Sequence, residues 1–200
     1  MNSRSLLETF AEDLASVIPG IDGKAEHGRW QPGLGPFEEE RQIELLSDAA
    51  ESRASYTIST EVSYHDNGQR CDLFIESETV QIPIEAKLLR FRYDNGNIDP
   101  NTFARIFSPF PERNSSSLLT DVRKLRESEF QQNGGLLGIY YQPIDEEYKA
   151  MSPQAIAEKL CLDIEYWYDI EVTTRNIAHF EGLRHPVHQE GAVITWEILE

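Results

Sequence analysis

The alternation of apolar and polar positions divides the chain into a short series of elements. Leu6, Phe10, Leu14 and Val17 recur at helical spacing, so residues 5–18 form an amphipathic helix that Pro19-Gly20 is expected to stop. A Gly- and Pro-rich loop over 19–36 leads to a second helix, from Phe37 to about Ala50, with Ile43, Leu46 and Ala50 inward. Ser55 to His65 then alternates with period two, as a half-buried strand does. Asp66-Asn67-Gly68-Gln69 reads as a two-residue hairpin turn, which sets Ser63 opposite Asp72 and Glu61 opposite Phe74. The next strand carries Cys71, Leu73 and Ile75 against Arg70, Asp72 and Phe74. After a tight return through residues 76–79, a third strand places Val80, Ile82, Ile84, Ala86 and Leu88 on one face and Gln81, Pro83, Glu85 and Lys87 on the other.

Downstream, Asn101 to Phe107 fits one or two helical turns, and Ser115 to Ser128 a serine-capped helix with Leu118, Val122 and Leu125 inward. Leu136 to Tyr141 is almost wholly apolar, the mark of a strand covered on both faces in a parallel or central position. Residues 143–150 read as an acidic loop. Ser152-Pro153 opens a long helix with Ile156, Leu160, Ile164 and Trp167 inward, and Gly191 to Leu199 reads as a final strand. The expectation is one mixed α/β domain over 1–200. Its core is a helix, a three-stranded meander, a helix and a strand over about 37–142. The helix at 5–18 and the helix and strand within 152–199 are decorations.

Composition changes this picture in two ways. The opening residues lack the apolar stretch of a signal peptide and no run is long enough to span a bilayer, so a cytoplasmic protein without membrane contact is expected. Cys71 and Cys161 are too few for a disulfide framework. The net charge of −17 argues against nucleic acid at long range. Its distribution is uneven: residues 86–126 hold 8 basic and 4 acidic side chains, and both flanks are strongly acidic.

The candidate chemistry lies where that basic segment begins. Asp72, Glu85 and Lys87 fall on one face of adjacent strands, and Glu61 shares it. Carboxylates supply the hard oxygen ligands that Mg²⁺ or Mn²⁺ prefers, and the Ala86 carbonyl is a further candidate. A neighbouring lysine can stabilise the charge of a phosphoryl transition state or orient the attacking water. The bland reading of Glu85 and Lys87 is a cross-face salt bridge. The bland reading of the glutamates after Phe37 is a solvated helix start. His185 and His188 are a weak metal pair, being in a loop without evident partners.

Cys71-Asp72 followed by Glu85-Ala86-Lys87 resembles the PD-(D/E)xK nuclease superfamily, over roughly residues 37–142, with Cys71 where the motif has proline. The resemblance implies a restriction-endonuclease-like core with a mixed central sheet flanked by helices. It also implies metal-dependent hydrolysis of phosphodiesters, most naturally in DNA, of a restriction, repair or mobile-element kind. A glutamate on the first core helix often completes the metal site in that family. Glu40 is the first choice, with Glu39 the alternative and Glu44 also on that helix. Arg90, Arg92, Arg123 and Lys124 are the candidate phosphate contacts, and a homodimer is a further expectation. The alternative function is a catalytically silent acidic module that binds a basic protein, of an immunity or anti-defence kind.

Overall fold

The computed structural model describes residues 1–28, 31–63, 70–114, 116–128, 134–142 and 151–199. Five helices and six strands alternate along these residues: α1 (Ser3–Asp22), α2 (Glu39–Glu51), β1 (Thr57–Ser63), β2 (Arg70–Glu76), β3 (Gln81–Arg90), α3 (Thr102–Phe107), α4 (Leu118–Glu127), β4 (Gly135–Tyr141), α5 (Pro153–Tyr168), β5 (Val172–Phe180) and β6 (Gly191–Ile198). The strands form one open mixed sheet in the order β1-β2-β3-β4-β6-β5. β1, β2 and β3 are the expected antiparallel meander. β3 and β4 run parallel, joined by the crossover through α3 and α4.

Helices cover both faces. Leu6, Phe10, Leu14 and Ile18 of α1 and Ile43 and Leu46 of α2 pack on Leu73, Ile75, Ile82, Ile84 and Ala86. On the opposite face, Leu118, Val122 and Leu125 of α4 and Ile156, Leu160 and Ile164 of α5 pack on Leu89, Leu136, Tyr140 and Trp196. This arrangement explains the unbroken apolar run of β4, every residue of which is buried between the layers.

Several expectations need revision. The helix expected to stop at Pro19-Gly20 continues to Asp22, with Pro19 inside it. Proline forfeits one backbone bond, but the turn beyond it is pinned. The buried Asp22 carboxylate accepts the backbone N–H of Leu34 and of Arg184, each at 2.7 Å. The β1–β2 register pairs Ser63 with Arg70 and Ser59 with Phe74, two residues from that expected of a two-residue turn. The turn itself, residues 64–69, lies outside the described residues, as do Trp30 and the loop at 143–150. Trp167 is exposed, not inward. The segment after residue 152 is integral to the sheet: β6 is buried along its whole length between β4 and β5, and Trp196 donates its Nε1–H to the Ala157 carbonyl of α5 at 3.2 Å.

Candidate functional site

The site is made by a parting of two strands. β2 and β3 stay paired only as far as Leu73 and Ile84, whereas β3 continues along β4 to Arg90 and Tyr141. Beyond Ile84 the β2-facing edge of β3 therefore has backbone groups without a ladder partner, and orphaned buried amides are costly. Carboxylates take the place of the missing strand. Asp72 Oδ2 accepts the N–H of Ala86 at 2.7 Å. Glu39 Oε2 accepts the N–H of Leu88 at 2.6 Å, and its other oxygen meets Lys87 Nζ at 3.0 Å. A residue in an extended strand directs its N–H and C=O to the same edge, so the Ala86 carbonyl faces this gap too.

Continuing the β2–β3 register by one position sets Asp72 opposite Glu85. Asp72 is half-buried and Glu85 buried. The negative field they create is felt at the neighbouring Cys71, whose thiol burial, Glu85 and Asp72 together push up to about 12. The Cys71 thiol thus stays neutral and acts as a small apolar side chain rather than a nucleophile. Lys87 is only 12 % exposed. Burial, its largest single influence, opposes the positive charge, but Glu39, Asp121 and Asp72 outweigh it and hold the ammonium above its ordinary value.

The α2 side of the gap is an open cleft of about 540 Å³ lined by Glu39, Glu40, Arg41, Ile43, Glu44, Thr60, Glu61 and Asp72. Five of those eight carry carboxylates, and Arg41 is paired with Glu44 at 2.5 Å. Of the three candidate helix glutamates it is Glu39 that touches Lys87. Glu40 and Glu44 are exposed on the cleft wall. Glu61 adopts a left-handed backbone at φ 55°, an uncommon conformation for a residue with a β-carbon, and lines the same cleft.

The α4 side contributes residues that sequence reasoning valued too little. Asp121 is 1 % exposed and meets Lys124 Nζ at 2.5 Å. Burial raises the Asp121 carboxyl, against the pull of Lys124 and Lys87. Lys124 in turn interacts with Asp121, Glu85 and Asp72. In the sequence Asp121 is visible only as an acid one turn before Lys124.

The other candidate cations are placed as follows. The Arg90 guanidinium donates to the Gly35 carbonyl and lies 3.4 Å from Asp94 Oδ1. Arg92 donates to the Gly96 carbonyl. Arg123 lies over the Tyr168 ring and 3.1 Å from Glu127. His185 and His188 stack at 4.7 Å in a buried position. His185 Nδ1 accepts the N–H groups of Val187 and His188, and His188 Nε2 lies 3.2 Å from Asp94 Oδ1. That is a packed pair capped by its own loop.

Among the described residues no group of three or more His, Cys, Asp or Glu side chains is drawn together tightly enough to hold a metal ion unaided. Two carboxylates and a backbone carbonyl still suit a hard cation such as Mg²⁺, which keeps several of its waters. No helix among the described residues is long and apolar enough to cross a membrane. Comparison with known protein families, with characterised proteins and with solved structures finds no match to the chain.

Proposed function

We propose that the chain is a divalent-metal-dependent nuclease with a PD-(D/E)xK-type site on a restriction-endonuclease-like core. The observation that carries this reading is the parting of β2 from β3, which leaves Asp72, Glu85 and Lys87 around one gap with the Ala86 carbonyl facing it. Satisfying the Ala86 amide accounts for Asp72, but it does not call for a second, buried carboxylate at Glu85 beside it. The topology supports the reading as well. The meander, the helical crossover and the buried parallel strand occur in the order the motif requires.

Asp72, Glu85 and the Ala86 carbonyl would hold the cation, Mg²⁺ or Mn²⁺. When bound, such an ion supplies Lewis-acidic charge and a more acidic water. Lys87, kept protonated by its carboxylate neighbours, acts as a cation toward the phosphoryl oxygens rather than as a base. Glu39 fixes that ammonium by holding it at 3.0 Å while anchoring the strand edge at Leu88. With Arg90 and Arg92 engaged on backbone carbonyls and Arg123 on Tyr168 and Glu127, phosphate contact outside the gap falls to Lys124.

The acidic cleft and the −17 charge favour a second reading, an acidic module that binds a basic protein. One experiment decides between them: incubation of single- and double-stranded DNA and RNA with Mg²⁺ or Mn²⁺, comparing the wild type with Asp72→Asn and Lys87→Met. The asparagine keeps an oxygen for the Ala86 amide, so loss of cleavage reports on charge and not on unfolding. Cleavage that survives both substitutions, or is absent on every substrate, removes the nuclease reading and leaves the binding module.

A further inference from the structure

Beyond helping to hold the Lys87 ammonium, the buried Asp121 carboxylate has no role in the site as drawn so far. Burying a carboxylate is costly unless it is paired, and apart from Thr120 the other buried residues of α4 are Leu118, Leu119, Val122 and Leu125. The pairing that Asp121 has is specific. Lys124, 27 % exposed and one turn along the same helix, brings its Nζ to 2.5 Å from Asp121 Oδ1. From there the ammonium also interacts with Glu85 and Asp72 on the sheet. Lys124 is therefore held by an acid on its own helix within electrostatic reach of the two carboxylates of the gap.

We infer that Asp121 is a positioning residue, which anchors the Lys124 ammonium at the rim of the Asp72–Glu85 pair so that it serves, beside Lys87, as a second cation for the scissile phosphate. The inference rests on the nuclease reading and deepens it. Without its anchor, Lys124 would find its nearest opposite charges at Glu85 and Asp72. It would then occupy the oxygens a divalent cation needs. With the anchor, an arriving cation leaves Lys124 a carboxylate to retain it, still protonated and within reach of an anionic substrate. Lys124 thus competes with the cation, and Asp121 moderates that competition, so removing the two should have opposite effects on metal affinity.

The test uses the full chain stripped of metal, with Mn²⁺ binding followed by titration calorimetry and cleavage kinetics followed on the best substrate. Lys124→Met should bind Mn²⁺ at least about threefold tighter, because a positive charge has left the site. Its kcat should nevertheless fall about 10²-fold, with KM nearly unchanged. Lys124→Arg should retain most of the activity. Asp121→Asn should bind Mn²⁺ at least about threefold more weakly, and adding Lys124→Met to it should restore the affinity of Lys124→Met alone. Two charges acting independently on the cation would also give opposed single shifts, but the double variant would then bind Mn²⁺ more weakly than Lys124→Met alone by the full Asp121→Asn shift; that additivity, or no shift in either single variant, overturns the inference. Should Asp121→Asn fail to fold, the Lys124 variants decide alone: unchanged Mn²⁺ affinity and kcat in Lys124→Met overturn it. A wild type that neither binds Mn²⁺ nor cleaves removes the underlying reading and this inference together. A working wild type without the opposed shifts removes only the inference.

Discussion

Replacing Glu39 by alanine removes two interactions at once: the charge-assisted hydrogen bond to the Leu88 amide at 2.6 Å and the ion pair to Lys87 at 3.0 Å. A hydrogen bond to a charged group is worth about 1.5–3 kcal/mol when its partner is left unsatisfied. The Glu39 side chain is 33 % exposed, so water reaches the vacated position and the lower end of that range applies. The Lys87 ammonium, only 12 % exposed, loses its nearest opposite charge, although Asp72 and Asp121 remain. Taken together, Glu39→Ala should destabilise the fold by about 2 kcal/mol. For a chain of this size that is a fall in melting temperature of roughly 4–8 °C. Urea denaturation at pH 7 measures the free energy directly, and a cycle with Lys87→Met isolates the ion pair, whose coupling should be about 1 kcal/mol. Because the folded Lys87 titrates above its ordinary value, this coupling is fully present at neutral pH and should fade only as the pH rises through that value, above 10.5. Glu39→Gln, which keeps an acceptor for Leu88 but not the charge, should fall between wild type and alanine. A loss below about 0.5 kcal/mol for Glu39→Ala, the scale of an ordinary surface substitution, would refute the claim that Glu39 substitutes for the missing strand.

Other expected outcomes test the rest of the frame. His188 is held neutral by burial, with Arg90 and His185 adding to the effect, and its folded value is lowered to about 3. The unfolded chain, with an ordinary value near 6.5, takes up a proton first, so stability should fall as pH drops below 6.5. The slope approaches about 1.4 kcal/mol per pH unit. Urea midpoints that stay flat between pH 6.5 and 5 would contradict this assignment. Asp169 ends α5 in a left-handed conformation at φ 53°, so Asp169→Gly should stabilise by about 0.5–1 kcal/mol, seen as a small rise in melting temperature. At Gly191 an added β-carbon would lie 1.9 Å from the Tyr140 carbonyl oxygen. Gly191→Ala should therefore displace the start of β6 and cost about 3 kcal/mol or more. A soluble variant with wild-type melting would show that this strand pair can part at no cost.

The sequence carried the elements whose cause is local. A serine cap within residues 115–117, the Ser152-Pro153 start of α5 and the apolar run of β4 are readable because each rests on a few neighbouring residues, and the structure puts the first cap at Ser117. β5 was not readable. It is an edge strand whose interior residues are only half-covered, and Thr173-Thr174-Arg175-Asn176 gives no clean alternation. Spacing to the buried stripe points to Glu40, which stands three and six residues before Ile43 and Leu46. Glu39 stands four and seven residues before the same pair, which brings it closer to the sheet-facing stripe. Asp121 escaped because the value of a buried acid depends on what faces it from another element, and nothing on its own helix announces Glu85 or Lys87. Sequence placed Asp72, Glu85 and Lys87 on adjacent strands; it could not show that β2 leaves β3 there.

The position of β6 bears on how the molecule comes to be folded. β4 has β3 on one side and β6 on the other, and among the described residues β6 is also the only neighbour of β5. Until residues 191–198 are present, β4 and β5 each present an unpaired edge, and the floor beneath α1 and α5 is incomplete. Folding must then wait on contacts between segments far apart in the chain, such as Leu136 with Trp196 and the Leu7 carbonyl with Thr195, which slows closure relative to locally paired sheets. A nascent chain that has emerged only as far as β5 holds open strand edges of the kind that pair with other chains.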